Sequence, residues 1–261
     1  MSYIPSTPAE RADMLGEAGA DSFADLFSAV PESLLLSSPL NLPRAASEFE
    51  VISALSEAAG RNTVFQTWFR GAGAYRHYIP SAVRHLASRS EFVTAYTPYQ
   101  AEISQGILQS IFEYQTIICE LTGMDVSNAG VYDGVHAAAE ACAMFADKSR
   151  SKVLAASTIN PMTAEVLRTY CRSAGRELKF FDAREGRASA ANLAGLLDES
   201  VCCVYAQQPN FYGMTEDYAA FADMAHATGA KMVIGSYPVA LAVLKTPAEY
   251  GADAAVGEAQ P

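Results

Sequence analysis

The sequence predicts an α/β protein in which a mainly parallel sheet lies between helices and a helical arm precedes it. Three observations support this fold class. Short apolar segments alternate with amphipathic segments after Lys152, half of the 261 residues are apolar, and prolines separate short helical stretches before residue 60. A chain of this length and composition can bury the core of one large domain.

The first 60 residues are predicted to form a helical N-terminal arm. Thr7 or Ser6 would cap a helix that runs to about Gly16, because a hydroxyl side chain accepts a hydrogen bond from the first turn. Residues 37–47 are punctuated by prolines, and helical spacing returns over 48–58. Arms of this kind commonly wrap a neighbouring subunit.

Two helices are predicted in the middle of the chain. Apolar residues at i, i+3 and i+4 spacing predict a long helix from Gln105 to Gly123, and a helix rich in small residues opens at Asp133. The turn before it, 127–134, could seat an anion on a helix N terminus. However, the Asp133 carboxylate would cap the free N–H groups and repel a phosphate, so we expect protein to occupy this turn.

The remainder of the chain alternates between strand and helix patterns. Such βα units predict a parallel sheet covered on both faces, within a large domain that spans residues 61–261. Because the last strand pattern lies close to residue 261, we expect this domain to be truncated at its C-terminal end. Strands are predicted at 153–157, 178–183, 201–207, 231–237 and from 253, and helices at 162–174, 190–197 and 218–228.

Composition and motifs disfavour several classes of protein. A formal net charge of −11 without a basic tract disfavours nucleic-acid binding, and no run of about 18 apolar residues could span a membrane. Five cysteines without disulfide or zinc spacing indicate a reducing cytoplasm. RGAGAY (70–75) lacks the third glycine of a dinucleotide fingerprint and is better interpreted as a tight turn.

The strongest candidate site is the polar segment before the long helix. Polar groups that are buried without partners cost free energy, so the cluster either forms a satisfied network or faces a ligand. Among the histidines, His77 between Tyr75 and Tyr78 is the best functional candidate, although a structural role is commoner for a lone histidine. The members of the polar segment are Thr94, Tyr96, Thr97, Tyr99, Gln100, Glu102 and Gln105.

Three segments resemble the glycine cleavage system P-protein family, and specifically its subunit 1, the alpha chain of two-subunit glycine dehydrogenase (decarboxylating). They are FRGAGAYRHYIPSAV (69–83), SRSEFVTAYTPYQAEISQGILQSIFEYQTIICELTGMDVSNAGVYDG (88–134) and EYGADAAVGEAQ (249–260). Residues 3–15 and 39–43 resemble the same subunit. The resemblance covers essentially the whole chain and implies the large domain of fold-type-I pyridoxal-phosphate enzymes.

The resemblance implies an alpha subunit that binds no cofactor itself. Glycine would be decarboxylated and its aminomethyl group passed to the lipoylated H protein, with pyridoxal phosphate on the partner beta subunit. Fold-type-I enzymes need a Schiff-base lysine and an aspartate for the pyridinium nitrogen. Here Gly235 and Ser236 stand where the aspartate is expected, residues 258–261 where the lysine is expected, and Lys245 lies between the two strands.

The alpha chain would then supply one wall of a shared active site. The same wall residues would serve equally well to pack the alpha–beta interface. Two other functions stay open, a self-sufficient pyridoxal-phosphate enzyme such as an aminotransferase or desulfurase, and a non-catalytic scaffold fragment. Supporting catalytic roles are expected for Tyr96, Tyr99 and Glu102, and substrate contacts for Thr94, Thr97, Gln100 and His77.

Overall fold

The computed structural model describes residues 5–69 and 76–260. Its contacts divide the chain into two compact units, Met1–Arg70 and Gly71–Pro261. The domain assignment made from the sequence, with its boundary at residue 60, stays a prediction. The turn predicted at 70–75 and the end of the chain at Pro261 lie outside the described residues.

The first unit is helical, and none of its described residues is buried. Thr7 caps the first helix as predicted: its side chain accepts from the backbone N–H of Glu10, whose carboxylate accepts from the N–H of Thr7. Ser47 and Glu50 form the same reciprocal pair at the second helix. Each pair satisfies donors that a first helical turn leaves free. The helices are α1, Pro8–Glu17, and α2, Glu48–Gly60.

The second unit contains the predicted parallel sheet. The strands of its sheet are β1, Lys152–Ala156; β2, Leu178–Phe181; β5, Val201–Gln208; β6, Lys231–Ser236; and β7, Ala254–Val256, and a small separate hairpin is formed by β3, Ala183–Arg184, and β4, Arg187–Ala188. The five strands of the sheet lie in the order β2-β1-β5-β6-β7, and every neighbouring pair is parallel.

Helices cover this sheet and create its core. Helix α6, Gly134–Met144, packs against β5, β6 and β7, while α9, Ala219–Ala227, packs against β6. Strand β1 is buried at every residue, as expected for a strand covered on both faces. Large side chains such as Leu154 and Met232 are fully buried. Burial of each contributes about 1.5–3 kcal/mol to the free energy of unfolding. The helices are α3, Ser81–Ala87; α4, Ser90–Val93; α5, Ala101–Thr122; α6, Gly134–Met144; α7, Pro161–Ser173; α8, Ala190–Ala194; and α9, Ala219–Ala227.

Helix α5 begins four residues before its predicted start. The carbonyl of Gln100 accepts from the N–H groups of Ile103 and Ser104, which opens the helix early. Ser104 has φ −116° and ψ 17°, so this first turn is irregular. Its sequence, AEIS, contains one large apolar residue, Ile103, and therefore gives no apolar periodicity that could predict a helix. The helix ends at Gly123, as predicted, in the left-handed conformation with φ +73°.

Candidate functional site

Polar side chains gather where β5 and β6 end. In an open parallel sheet, ligands bind at the carboxyl ends of the strands, so this edge is the first place to look for a site. Three features occupy it in the described residues. They are a buried network around Glu216, a contact between His77 and Tyr237, and a pair of carboxylates at the N terminus of α6.

The network at the end of β5 is centred on a buried carboxylate. Oε1 of Glu216 accepts from Nδ2 of Asn210 at 2.7 Å and from the hydroxyl of Tyr218 at 3.0 Å, and Oε2 accepts from the N–H of Ala188 at 2.6 Å. Nε2 of Gln208 donates to the Glu216 carbonyl at 2.6 Å. Burial and the Glu216 carboxylate raise the pKa of Tyr218. Since both carboxylate oxygens have donors, the network holds the loop after β5.

The end of β6 meets the segment that precedes α3. Nε2 of His77 and the hydroxyl of Tyr237 share a hydrogen bond, and both residues are half-buried. The neighbouring Ser236 is 9% exposed, and its hydroxyl has no partner within the described residues. At Gly235 a Cβ atom would collide with the hydroxyl of the buried Tyr205, so a side chain there would require Tyr205 to move.

Two carboxylates face the N terminus of α6. The N–H of Gly134 donates to Oε1 of Glu258 at 2.7 Å, and the N–H of His136 donates to Oδ1 of Asp133 at 2.8 Å. The N–H of His136 is the main cause of a lowered pKa at Asp133. Asp133 is therefore the predicted cap, and Glu258 adds a second carboxylate that the sequence did not reveal.

The tyrosines of the predicted wall lie on the surface. Tyr96 is 90% exposed and Tyr99 is 83% exposed, and Thr97 between them is exposed as well. The N–H of Tyr99 donates to the carbonyl of Thr97 at 2.8 Å, which tightens the backbone before α5. Within the described residues these side chains form no buried network, and their exposure leaves them accessible to another molecule.

The other wall residues are held by local backbone contacts. The hydroxyl of Thr94 donates to the carbonyl of Ser90 at 2.5 Å, closing α4. Gln100 is the N-cap residue of α5 without a side-chain capping bond, and Glu102 is exposed in its first turn. Across the described ranges, no hydrogen bond joins this segment to His77. The structure thus brings His77 to Tyr237 and leaves the segment 94–102 separate.

Comparison with known proteins identifies the family. The sequence profile of the glycine cleavage system P-protein matches residues 1–261. The chain belongs to the glycine cleavage system P-protein family. Relatives named "Probable glycine dehydrogenase (decarboxylating) subunit 1" from Desulforamulus reducens and Moorella thermoacetica are each 49% identical over all of this chain. The chain spans 59% of the length of each relative.

Solved structures agree with this P-protein assignment. A crystal structure of glycine decarboxylase (P-protein) of the glycine cleavage system, in inhibitor-bound form, superposes with a TM-score of 0.89 at 41% identity, covering all of this chain and 59% of that one. A cysteine desulfurase from Escherichia coli has a TM-score of 0.52 at 10% identity, covering 67% of this chain and 45% of that one, and shares the fold alone. The fold-type-I α/β prediction and the family resemblance are both confirmed.

Three lysines of this P-protein chain, Lys152, Lys231 and Lys245, do not match a pyridoxal phosphate site. Lys152 and Lys231 lie at the amino ends of β1 and β6, the opposite edge of the sheet, and bind Asp198 and Asp253. Lys245 lies over the ring of Tyr250, with Nζ 5.7 Å from the ring centroid. None of these amines is placed at the carboxyl edge to form a Schiff base.

The remaining donors at the carboxyl edge do not fit the coenzyme either. A side chain at Gly235 would collide with Tyr205, and Ser236 offers a hydroxyl where a carboxylate would have to hold the pyridinium nitrogen. At the N terminus of α6 the N–H of Gly134 is bonded to Glu258, so a phosphate would meet an occupied donor and like charge. The described residues of this chain do not fit pyridoxal phosphate.

Sequence reasoning missed three polar residues at this edge of the sheet, Tyr237, Glu258 and Glu216. Tyr237 and Glu258 follow directly or closely after β6 and β7, and Glu216 lies in the loop after β5. Polar residues just beyond the strands of a parallel sheet are a usable signal, because those strand ends meet at one edge. In the part of the chain that the structure describes, no His, Cys, Asp or Glu side chains cluster to hold a metal ion, and no helix is suited to span a membrane.

Proposed function

We propose that this chain is the alpha subunit of a glycine dehydrogenase (decarboxylating) and completes the active site in which glycine is decarboxylated and its aminomethyl group passes to the lipoyl H protein. One observation carries the proposal: relatives named as subunit 1 are 45–49% identical over the whole chain. Because the chain spans about six tenths of their length, the activity and partners of the complete protein belong to the proposal.

Pyridoxal phosphate, in this proposal, is held by the partner beta subunit. The poor fit of Ser236, Gly134 and the lysines described above supports that division of labour. When bound, the coenzyme supplies the electron sink that decarboxylation needs. This chain contributes side chains that bind and orient glycine and that exclude water.

The wall of the shared site is assigned to the segment 94–102. The exposed hydroxyls of Tyr96 and Tyr99 can donate to the carboxylate of glycine, and Glu102 can accept or return a proton. Thr97 and Gln100 would add polar contacts to substrate. Thr94 is a weaker member, because its hydroxyl is already bonded to a backbone carbonyl.

His77 is assigned to substrate binding through its second ring nitrogen. Nε2 is engaged by the hydroxyl of Tyr237, which leaves Nδ1 to contact a group of the substrate or partner. In this arrangement Tyr237 orients the ring and does not touch substrate itself. The proposal therefore adds Tyr237 to the residues expected from the sequence.

Exposed apolar side chains support the beta subunit as a partner. Many large apolar side chains exposed on one element favour an interaction surface. Such side chains occur along the helical arm and, separately, along helix α5. The arm exposes Phe23, Phe27, Leu34, Phe49, Leu55 and Trp68, and α5 exposes Ile103, Phe112 and Ile117.

The proposed location is the cytoplasm. All five cysteines are free thiols, and four of them are buried. Burial raises the pKa of Cys171, which keeps that thiol neutral. Unpaired buried cysteines are typical of proteins that fold in a reducing compartment.

Reconstitution tests the proposed function. The chain is co-expressed with a beta subunit, and the complex is supplied with lipoylated H protein, pyridoxal phosphate and glycine in a carbon dioxide exchange assay. We expect a stable complex that exchanges labelled carbon dioxide with glycine, and we expect no such exchange by either chain alone. Turnover by the isolated chain would instead favour a self-sufficient enzyme, and failure to form a complex would favour a scaffold fragment.

A further inference from the structure

Glu258 and Gly134 are 124 residues apart in the sequence and are joined by a hydrogen bond of 2.7 Å. Gly134 is the first residue of α6, and Glu258 lies two residues after the end of β7. Pairing with β6 fixes the direction of β7. Gly257 has no room for a side chain, because a Cβ atom there would collide with the carbonyl of Ser236. The sheet therefore delivers the Glu258 carboxylate to the helix.

The N terminus of α6 offers both space and hydrogen-bond donors to that carboxylate. A Cβ atom at position 134 would lie 3.0 Å from Oε1 of Glu258, so glycine permits the close approach. The N–H groups of a first helical turn have no partner within the helix, and the helix dipole favours negative charge there. Asp133 takes the N–H of His136, and Glu258 takes the N–H of Gly134.

We propose that Glu258 is an internal anion that takes the place of a bound phosphate at the N terminus of α6. The inference deepens the proposed function and rests on it, since it explains how a subunit without the coenzyme keeps this edge ordered. Helix N termini bind phosphates through free N–H groups and the dipole. A carboxylate tethered to β7 satisfies the same donor without a ligand and also holds the segment after β7 against α6.

Hydrogen exchange on the full chain tests this role. Glu258→Ala removes the acceptor, so we expect the amide of Gly134 to exchange about 5- to 30-fold faster than in the wild type. Glu258→Gln keeps an oxygen acceptor and should give a smaller increase. Glu199→Ala, at an exposed glutamate before β5, is the matched control and should leave the Gly134 amide unchanged. Melting temperatures establish that each variant is folded.

Inorganic phosphate supplies the second arm of the test. It should slow exchange of the Gly134 amide in the double variant Asp133→Asn/Glu258→Ala, where the donor is free and the like charge of Asp133 is removed, and leave the wild type unchanged. Equal exchange in the wild type and Glu258→Ala, protection of the wild type by phosphate, or no protection of the double variant would each overturn the inference. These measurements need neither partner nor activity, so their outcome is independent of whether the reconstitution succeeds.

Discussion

Nε2 of His77 and the hydroxyl of Tyr237 share a hydrogen bond that ties the segment before α3 to the end of β6. The two ring centroids are 6.0 Å apart with an interplanar angle of 58°, so the contact is polar and the rings are not stacked. A histidine whose Nε2 is engaged presents its Nδ1 in a fixed direction. The pair therefore orients a ring at the edge of the sheet where ligands bind.

A double-mutant cycle measures this pair. Tyr237→Phe removes the hydroxyl and should lower the free energy of unfolding by about 0.5–1.5 kcal/mol, as should His77→Ala. The double variant should lose less than the sum, with a coupling energy of about 1 kcal/mol. Urea denaturation measures all four proteins, and Tyr212→Phe, at a residue 61% exposed, serves as the control. A coupling energy of zero would refute the hydrogen bond.

The wall assignment predicts a loss of activity without a loss of assembly. Glu102→Gln should lower carbon dioxide exchange by the reconstituted complex by about 100-fold, because groups that assist proton transfer contribute on that scale. Tyr99→Phe should lower it by about 10- to 100-fold, because it removes a hydrogen bond to the charged carboxylate of glycine. Copurification with the beta subunit should be unchanged. Tyr212→Phe should retain full activity. If these variants instead weaken the complex and leave its specific activity intact, the segment packs the subunit interface.

The fold could be predicted from the sequence because its signals are local. The run of buried apolar residues in β5 and the left-handed end of α5 at Gly123 depend on neighbours in the sequence. The cap formed by Asp133 is local as well, since its acceptor and the N–H of His136 are three residues apart. Alternation of such elements then leaves few topologies beside a parallel sheet.

The site could be predicted only in part, because its contacts are long-range. Nothing near His77 in the sequence indicates Tyr237, which lies 160 residues away. The bond between Gly134 and Glu258 depends on β7 pairing with β6, and no local pattern encodes it. For Tyr96 the sequence identified an unusual polar aromatic but could not tell a buried network from an exposed surface.

The ion pair between the buried Lys152 and Asp198 predicts that the protein loses stability in acid. Nζ of Lys152 lies 2.7 Å from Asp198, and this bond, followed by those from Ser200, lowers the pKa of the Asp198 carboxyl. A carboxyl whose folded pKa lies below its unfolded value of about 3.9 stabilises the protein above that pH and loses the contribution as the pH falls. The wild type should therefore lose stability below about pH 4.

Asp198→Asn tests the pH dependence. It leaves the Lys152 ammonium, 6% exposed, without its carboxylate, so the variant should be less stable at neutral pH. The difference from the wild type in urea midpoint should shrink as the pH falls below about 4. Asp223→Asn, at an exposed aspartate on α9, is the control variant measured at the same pH values. A gap that does not change with pH would contradict the role of this ion pair.

Two glycines in and after α5 predict opposite effects of the same substitution. Gly123 has φ +73°, and a Cβ atom there would lie 2.8 Å from Cβ of Ala248. Both the strained backbone and the close contact oppose a side chain, so Gly123→Ala should lower the free energy of unfolding by about 1–2 kcal/mol or more. Gly106 lies inside α5, where a Cβ atom meets nothing within 4 Å. Gly106→Ala should therefore raise stability by about 0.5–1 kcal/mol, through better helix propensity. Urea denaturation of both variants is the measurement, and changes of the same sign would contradict the described end of α5.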